Sequence, residues 1–387
     1  MDRRERGRRE YQGLMGALPE VANAEVRERS PQMFDALVEG AFGGTLADSE
    51  LSRADRELAT VAMLAALGGA EPQLARHVAA ALGQGIAPSE LIALAQHVSV
   101  YAGFPRGLNA LAVIDQVVTG EGRERPPARH RIALDDHETT VAQYGDEGPA
   151  VVLLHALGLD WRMWEEVMVP LARGRRVFAY DIRGHGSAHG SPSPFTMADT
   201  ARDLIGVLDG LGLDRAHVVG LSYGGGIAQT AAVLHPDRFE SLGLLATTDH
   251  PFDAFESRAR SGEVDGMEAQ VVPSMTRWFT PEALATNGWA VRYAREMVRR
   301  GDPVDWAAAW RSFKGVDVQD RLAGFKQPVL VLAGESDLST TPEIMSRIHE
   351  RIPGSRYEVL PGTPHMMSLE QPGLVAAALD AFLPHQD

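Results

Sequence analysis

The chain contains no cysteine. Disulfide staples, thiolate nucleophiles, CxxC redox chemistry and cysteine-bound zinc are excluded in one step. Lysine is almost missing as well: Lys314 and Lys326 stand among 37 basic residues, so arginine carries nearly all the positive charge. Arginine suits bidentate carboxylate recognition, although genomic base composition produces the same bias. No apolar run reaches the roughly 18 residues that a membrane span needs, and the opening "MDRRERGRREYQG" has no apolar signal core. The default expectation is therefore a cytoplasmic protein without a membrane partner. A net charge of -15 argues against nucleic acid as a partner. It leaves room for an anionic substrate wherever arginines gather locally. The histidines at 130, 137, 189, 217, 235, 250 and 349 show no metal-ligand spacing, and neither a metal nor another cofactor is expected.

What is present divides into two textures. With 387 residues, 44% of them apolar, two domains with separate cores are feasible. Residues 1–118 read as an all-α domain. Ser52 with Asp55 opens the apolar run that ends at Gly68–Gly69, and Pro72 and Pro88 stand in the first turns of the next two helices. Residues 119–131, "TGEGRERPPARHR", are charged and aperiodic, as a linker is. From 132 to 387, β-branched runs alternate with helical segments: "AVVLLHA", "RRVFAYD", "AHVVGLS", "LGLLATT", "PVLVLAG" and "RYEVLPG". That pattern predicts a doubly wound, mostly parallel α/β sheet. The helical stretch at about 251–314, rich in tryptophan, interrupts the alternation and reads as a lid.

The second half carries a nucleophile motif in its proper setting. "VVGLSYGGG" places Gly220-Leu221-Ser222-Tyr223-Gly224 between a strand and a helix, where both glycines serve a sharp, strained turn. Asp337 follows a strand end in "VLVLAGESDLS", and His365 lies in the loop before the last helix. The order Ser222, Asp337, His365 in these contexts points to a nucleophile, its base and the orienter of that base. An oxyanion hole is expected from the backbone N–H of Tyr223 and one from "HALG", by position Leu157. In "YDIRGHGSA", His185 reads as part of a structural turn.

In the helical half, His97 and Tyr101 share a helix face, being four residues apart. His77 lies in the preceding helix. Taken alone, each histidine reads as a core residue, and joint action requires their helices to pack together.

The segment 132–385 resembles the α/β-hydrolase family and, within it, the 3-oxoadipate enol-lactone hydrolases. The narrower likeness rests on "LGLDWRMWE", "YDIRGHG", "GLSYGG" and the lid stretch "SMTRWFTPEAL". It implies substrate contacts from Arg277 and Trp278, the arginine pairing the carboxylate of a small anionic lactone; a surface arginine remains the alternative. Residues 10–118 resemble the carboxymuconolactone decarboxylase family, most specifically in "HVSVYAGFP". Without cysteine, the peroxide-reducing CxxC branch is excluded and the cofactor-free decarboxylase branch remains. The resemblance implies roles there for His77, His97, Tyr101, Arg56 and Glu39, and assembly into a homo-oligomer through this domain. Together the two likenesses imply consecutive reactions: decarboxylation of 4-carboxymuconolactone, then hydrolysis of the enol-lactone to 3-oxoadipate. The alternative is an esterase, lactonase or C–C hydrolase whose helical domain serves only for assembly.

Overall fold

The computed structural model describes residues 2–16, 18–47, 49–120 and 127–384. The chain forms two compact units, Met1–Pro126 and Pro127–Asp387.

Four helices build the core of the first unit. Ser52 Oγ accepts the N–H of Asp55 at 3.1 Å and so caps Arg53–Leu67, which Gly68 closes. Glu71–Gly83 and Pro88–Ala102 follow, each with proline in its first turn, and Phe104–Gly120 completes the set. Val61, Val78, Leu91 and Ile114 come from the four helices in turn and are almost fully buried in one cluster. Each such side chain contributes about 1.5–3 kcal/mol through burial. The helices carrying His77 and His97 both pack on Arg53–Leu67 and Phe104–Gly120. Ahead of this core, Arg3–Met15 crosses Ala36–Thr45, a helix of the wider π type. Tyr11, Leu14 and Phe42 form a small second cluster there.

The second unit is an eight-stranded sheet in the order β1-β2-β4-β3-β5-β6-β7-β8. Its strands are β1 (Ala128–Ala133), β2 (Glu138–Tyr144), β3 (Ala150–Leu154), β4 (Arg176–Tyr180), β5 (Ala216–Leu221), β6 (Phe239–Leu245), β7 (Val329–Gly334) and β8 (Arg356–Leu360). The β1–β2 and β2–β4 pairs are antiparallel, and all remaining pairs are parallel. The interior strands β3 and β7 are buried at every position, because helices cover both faces of a parallel sheet. The six strands expected from the β-branched runs are β3 to β8. Between β6 and β7, five helices from Ala254 to Lys314 form the expected lid.

The linker bounds differ from expectation. Phe104–Gly120 continues past 118, and β1 occupies 128–131 of the supposed linker, with residues 121–126 outside the described set. β1 is an edge strand whose Arg129 and Arg131 are exposed. Charges of this kind protect an edge from further pairing and give the segment a linker's composition.

Candidate active site

Ser222 sits at the tip of β5, immediately before the helix Tyr223–Leu234, with φ 55° and ψ −112°. A side chain at Gly220 would put Cβ 2.2 Å from the carbonyl oxygen of Gly224, and one at Gly224 would reach 2.3 Å from that of Leu154. Only glycine allows β5, the turn and the following helix to approach so closely. The strained serine is held from both sides: its N–H donates to the Leu245 carbonyl at 2.9 Å, and its carbonyl accepts from Thr247 Oγ1 at 2.6 Å.

The three separated motifs meet here. His365 Nε2 lies 3.1 Å from Ser222 Oγ, and His365 Nδ1 lies 2.8 Å from Asp337 Oδ2. Asp337 is fixed in turn by the N–H groups of Ser339 and Thr340 at 2.7 and 3.0 Å, and by Thr340 Oγ1 at 2.7 Å. All three members are buried. The line from carboxylate to imidazole to hydroxyl lets the histidine take the serine proton while the aspartate holds its orientation. Thr340 escaped the sequence reading; a hydroxyl three residues after the acid was the available signal.

Leu157 lines the pocket over Ser222 and His365. Its loop is tied down on every side except at its own N–H. The Ala156 N–H donates to Met163 Sδ at 3.1 Å, and the Gly158 N–H to His185 Nε2 at 2.9 Å. The Leu157 N–H finds no acceptor among the described residues. Tyr223, as the first residue of its helix, likewise has an N–H that the helix cannot satisfy. Its side chain points elsewhere, fully buried, with the hydroxyl donating to Ser312 Oγ at 3.0 Å.

Two buried histidines brace this loop. His155 Nε2 accepts the Ile182 N–H at 2.8 Å, while its Nδ1–H donates to the Ala156 carbonyl at 2.8 Å. Burial, aided by the proximity of His185, pushes its pKa down to about 3. His185, also lowered by burial, has Nδ1 3.0 Å from the Arg183 carbonyl. Both work as neutral hydrogen-bond struts, which agrees with the structural reading of His185. Beyond the loop, Tyr293 of the lid bonds Asp160 Oδ1 at 2.9 Å, and Arg162 grips the same carboxylate. Burial opposes ionisation of Asp160, but the arginine prevails and its pKa is lowered.

Pocket walls come largely from the lid: Phe252, Phe255, Trp278, Trp310 and Phe313. The free space between them is about 20 Å³, room for roughly one water. Arg277 and Trp278 line it, and Arg258 joins them. Burial and the neighbouring charge of Arg258 push Arg277 down to about 10. The Trp278 carbonyl accepts the Met366 N–H at 3.0 Å, which ties this lid helix to the residue after His365.

The five candidates of the helical unit do not form one cluster. His77 Nδ1 lies 2.8 Å from Glu57 Oε2, and Glu57 is 1% exposed. Arg56 is committed to Glu10 and to the Leu46 carbonyl, the latter at 2.7 Å. Glu39 makes an exposed ion pair with Arg4 at 3.4 Å. His97 and Tyr101 contact each other, ring centroids 4.7 Å apart, and both are exposed. Glu57 is the residue that sequence reasoning missed. It falls on the buried stripe Ala54, Glu57, Val61, Ala65, where a carboxylate needs a partner.

Among the described residues no cluster of side chains suits a metal, and no helix is long and apolar enough to cross a membrane.

Comparison with known proteins agrees with this geometry. A 3-oxoadipate enol-lactonase of Acinetobacter baylyi is 28% identical over 256 residues, covering 65% of this chain and 95% of the relative. The crystal structure of the enol-lactonase from Burkholderia xenovorans LB400 superposes with a TM-score of 0.63 at 28% identity, over 65% of this chain and 99% of that one. A thermophilic esterase from Thermogutta terrifontis gives 0.61, also at 28% identity, over 66% and 97%. The family model of the alpha/beta hydrolase fold matches residues 149–372, and that of the carboxymuconolactone decarboxylase family matches 31–116. The chain thus belongs to the α/β-hydrolase fold family and carries, ahead of that domain, one of the carboxymuconolactone decarboxylase family.

Proposed function

We propose that the chain catalyses two consecutive steps of aromatic-acid breakdown. The helical domain decarboxylates 4-carboxymuconolactone, and the hydrolase domain opens the resulting 3-oxoadipate enol-lactone. The observation that carries the hydrolytic half is the hydrogen-bonded line Asp337–His365–Ser222 beneath a pocket that presents Arg277. Ser222 Oγ attacks the lactone carbonyl as His365 Nε2 takes its proton. The N–H groups of Tyr223 and Leu157 stabilise the alkoxide, each contributing about 3 kcal/mol. The ring C–O bond breaks, and the enolate leaves, is protonated and ketonises. Water then cleaves the acyl-enzyme, and the new carboxylate departs. The space beside Ser222, about 20 Å³, must widen for the lactone to bind.

For the first step, the bond between the γ carbon and its carboxylate breaks, CO2 leaves, and the electron pair is delocalised through the ring carbonyl. An acid must then protonate a ring carbon. The match to the decarboxylase family and the pairing of His77 with the buried Glu57 support this half, with His97, Tyr101, Arg56 and Glu39 as further candidates. Joining the two domains raises the local concentration of the unstable intermediate.

A second reading has its own support. Val100, Tyr101, Phe104 and Leu108 are 60–79% exposed on the helical unit, a surface suited to self-assembly. The helical domain would then be a module for homo-oligomerisation, and the hydrolase would act alone. Ser222→Ala supplied with 4-carboxymuconolactone separates the two. The two-step reading expects CO2 release and accumulation of enol-lactone. Untouched substrate in the presence of folded protein eliminates it in favour of the module.

A further inference from the structure

A second cavity, of about 240 Å³, lies next to the space at Ser222. Leu157 lines the Ser222 space, and Gly158, the next residue, lines the cavity. Leu159 and His185 reach it from the loops after β3 and β4, Met297 and Trp306 from the lid helices Trp289–Arg300 and Pro303–Lys314. Its rim is exposed at His189 and Arg300, whereas Trp306 and Leu159 are buried. The buried acid of the cavity, Asp305, is held by His189 Nδ1 at 2.8 Å and by the Gly190 N–H at 3.0 Å. Leu159, Met297 and Trp306 therefore give the inner wall an apolar character.

Two indoles separate this cavity from Ser222. Trp306 Cζ3 lies 2.7 Å, and Trp278 Cη2 3.4 Å, from the point where a Cβ on Gly158 would stand. Trp278 belongs to the wall of the Ser222 space and Trp306 to that of the cavity, so the tips of two lid rings meet over the backbone of the oxyanion loop. Trp306 occupies a slot left by two glycines. A Cβ on Gly262, in the helix Ala254–Asp265, would stand 2.4 Å from Trp306 Cδ1. The indole Nε1–H donates to the Arg258 carbonyl at 3.2 Å. Packed against two backbones and hydrogen-bonded to a third point, this ring is a fixed wall.

We propose that Trp306 limits the length of the acyl group that Ser222 accepts, and that the cavity behind it is a preformed but shut-off extension of the acyl site, suited to an uncharged alkyl chain. The inference rests on Ser222 as the reacting group. His365 must return its proton to the leaving oxygen, so the leaving group lies on the His365 side. The carbonyl oxygen turns to the N–H groups of Tyr223 and Leu157. No residue of the His365 loop lines the cavity, so the part of a substrate that points toward Gly158 and Trp306 is the acyl chain. A compact acyl group stops short of the indoles, and an extended one collides with them.

The test uses the full chain and the p-nitrophenyl esters of acetate, butyrate and hexanoate, which share a leaving group and differ only in acyl length. In the wild type, kcat/KM for the acetate should exceed that for the hexanoate at least about tenfold. Trp306→Ala joins the cavity to the acyl site, and kcat/KM should then rise about fourfold for each added methylene, which reverses the order. Adding Met297→Trp refills the cavity and should withdraw most of the gain on the hexanoate. If Trp306→Ala does not fold, Trp306→Leu carries the same comparison and must shift the order in the same direction by less. A merely loosened lid would change all three esters by one factor. That result, a wild type that hydrolyses the hexanoate as well as the acetate, or one inert toward all three esters overturns the proposal. Failure of the wild type to open the enol-lactone would refute the proposed reaction while leaving the length profile intact, so the two ideas fail separately.

Discussion

His155 makes the hydrolase unit acid-sensitive in a calculable way. Its ring is fully buried and accepts the Ile182 N–H through Nε2, so protonation would replace an acceptor with a donor facing another donor. In the fold its pKa falls to about 3, chiefly by burial, against an ordinary 6.5. A histidine with a depressed folded pKa contributes stability that is present above 6.5 and is lost as pH falls toward 3. Between pH 7.0 and 4.5 the unfolded chain gains this proton and the native one does not, a difference of about 2.5 kcal/mol at about 1.36 kcal/mol per unit. His155→Gln retains an acceptor for Ile182 and cannot titrate. At pH 7 it should be about 1–2 kcal/mol less stable, having lost the Ala156 contact. The gap to wild type should then shrink or reverse by pH 4.5. Urea unfolding followed by tryptophan fluorescence reads this cleanly, because Trp161, Trp164, Trp278, Trp289, Trp306 and Trp310 all lie in the second unit. Equal loss of stability by both proteins over that range would refute the reasoning.

Tyr293→Phe removes the hydroxyl that bonds Asp160, while Arg162 still neutralises that carboxylate. The cost should be about 1–2 kcal/mol and lower Tm by roughly 3–6 °C; a thermal melt within 1 °C of wild type contradicts it. Gly224→Ala drives Cβ into the Leu154 backbone, which predicts a loss of about 1–3 kcal/mol and of most esterase activity; a fully active variant would show the turn to be more pliant. Glu57→Gln should reduce CO2 release from 4-carboxymuconolactone at least tenfold while enol-lactone hydrolysis by the other domain persists. Unchanged CO2 release would remove the Glu57–His77 pair from the decarboxylation.

The central fold was legible because buried parallel strands are nearly continuous apolar runs, and β3 to β7 have that character, while β8 is a largely exposed edge strand. β1 and β2 lacked it. Both are antiparallel, β2 alternates in and out of the core, and the largely exposed "ARHRIA" of β1 carries the charge of an edge, so its composition pointed to a linker. The Ser222, Asp337 and His365 motifs were legible because each occupies a strand end or loop with a fixed geometry. Arg258 and Thr340 were not, since their importance depends on which neighbours are adjacent in space. The helical unit was legible as helices through its caps and glycines. Its chemistry was harder to read: the i, i+4 spacing of His97 and Tyr101 proves them neighbours but leaves open whether their face is buried, and it is exposed.

The most direct measurement gives freshly prepared 3-oxoadipate enol-lactone to the full chain and follows 3-oxoadipate against the spontaneous reaction in buffer. The wild-type protein should open the lactone about a thousandfold or more faster than buffer, with Ser222→Ala falling to a small fraction of that rate. An enol-lactone lost at the buffer rate, while the same preparation hydrolyses a simple half-ester, would contradict the assignment of this reaction to the Asp337–His365–Ser222 site.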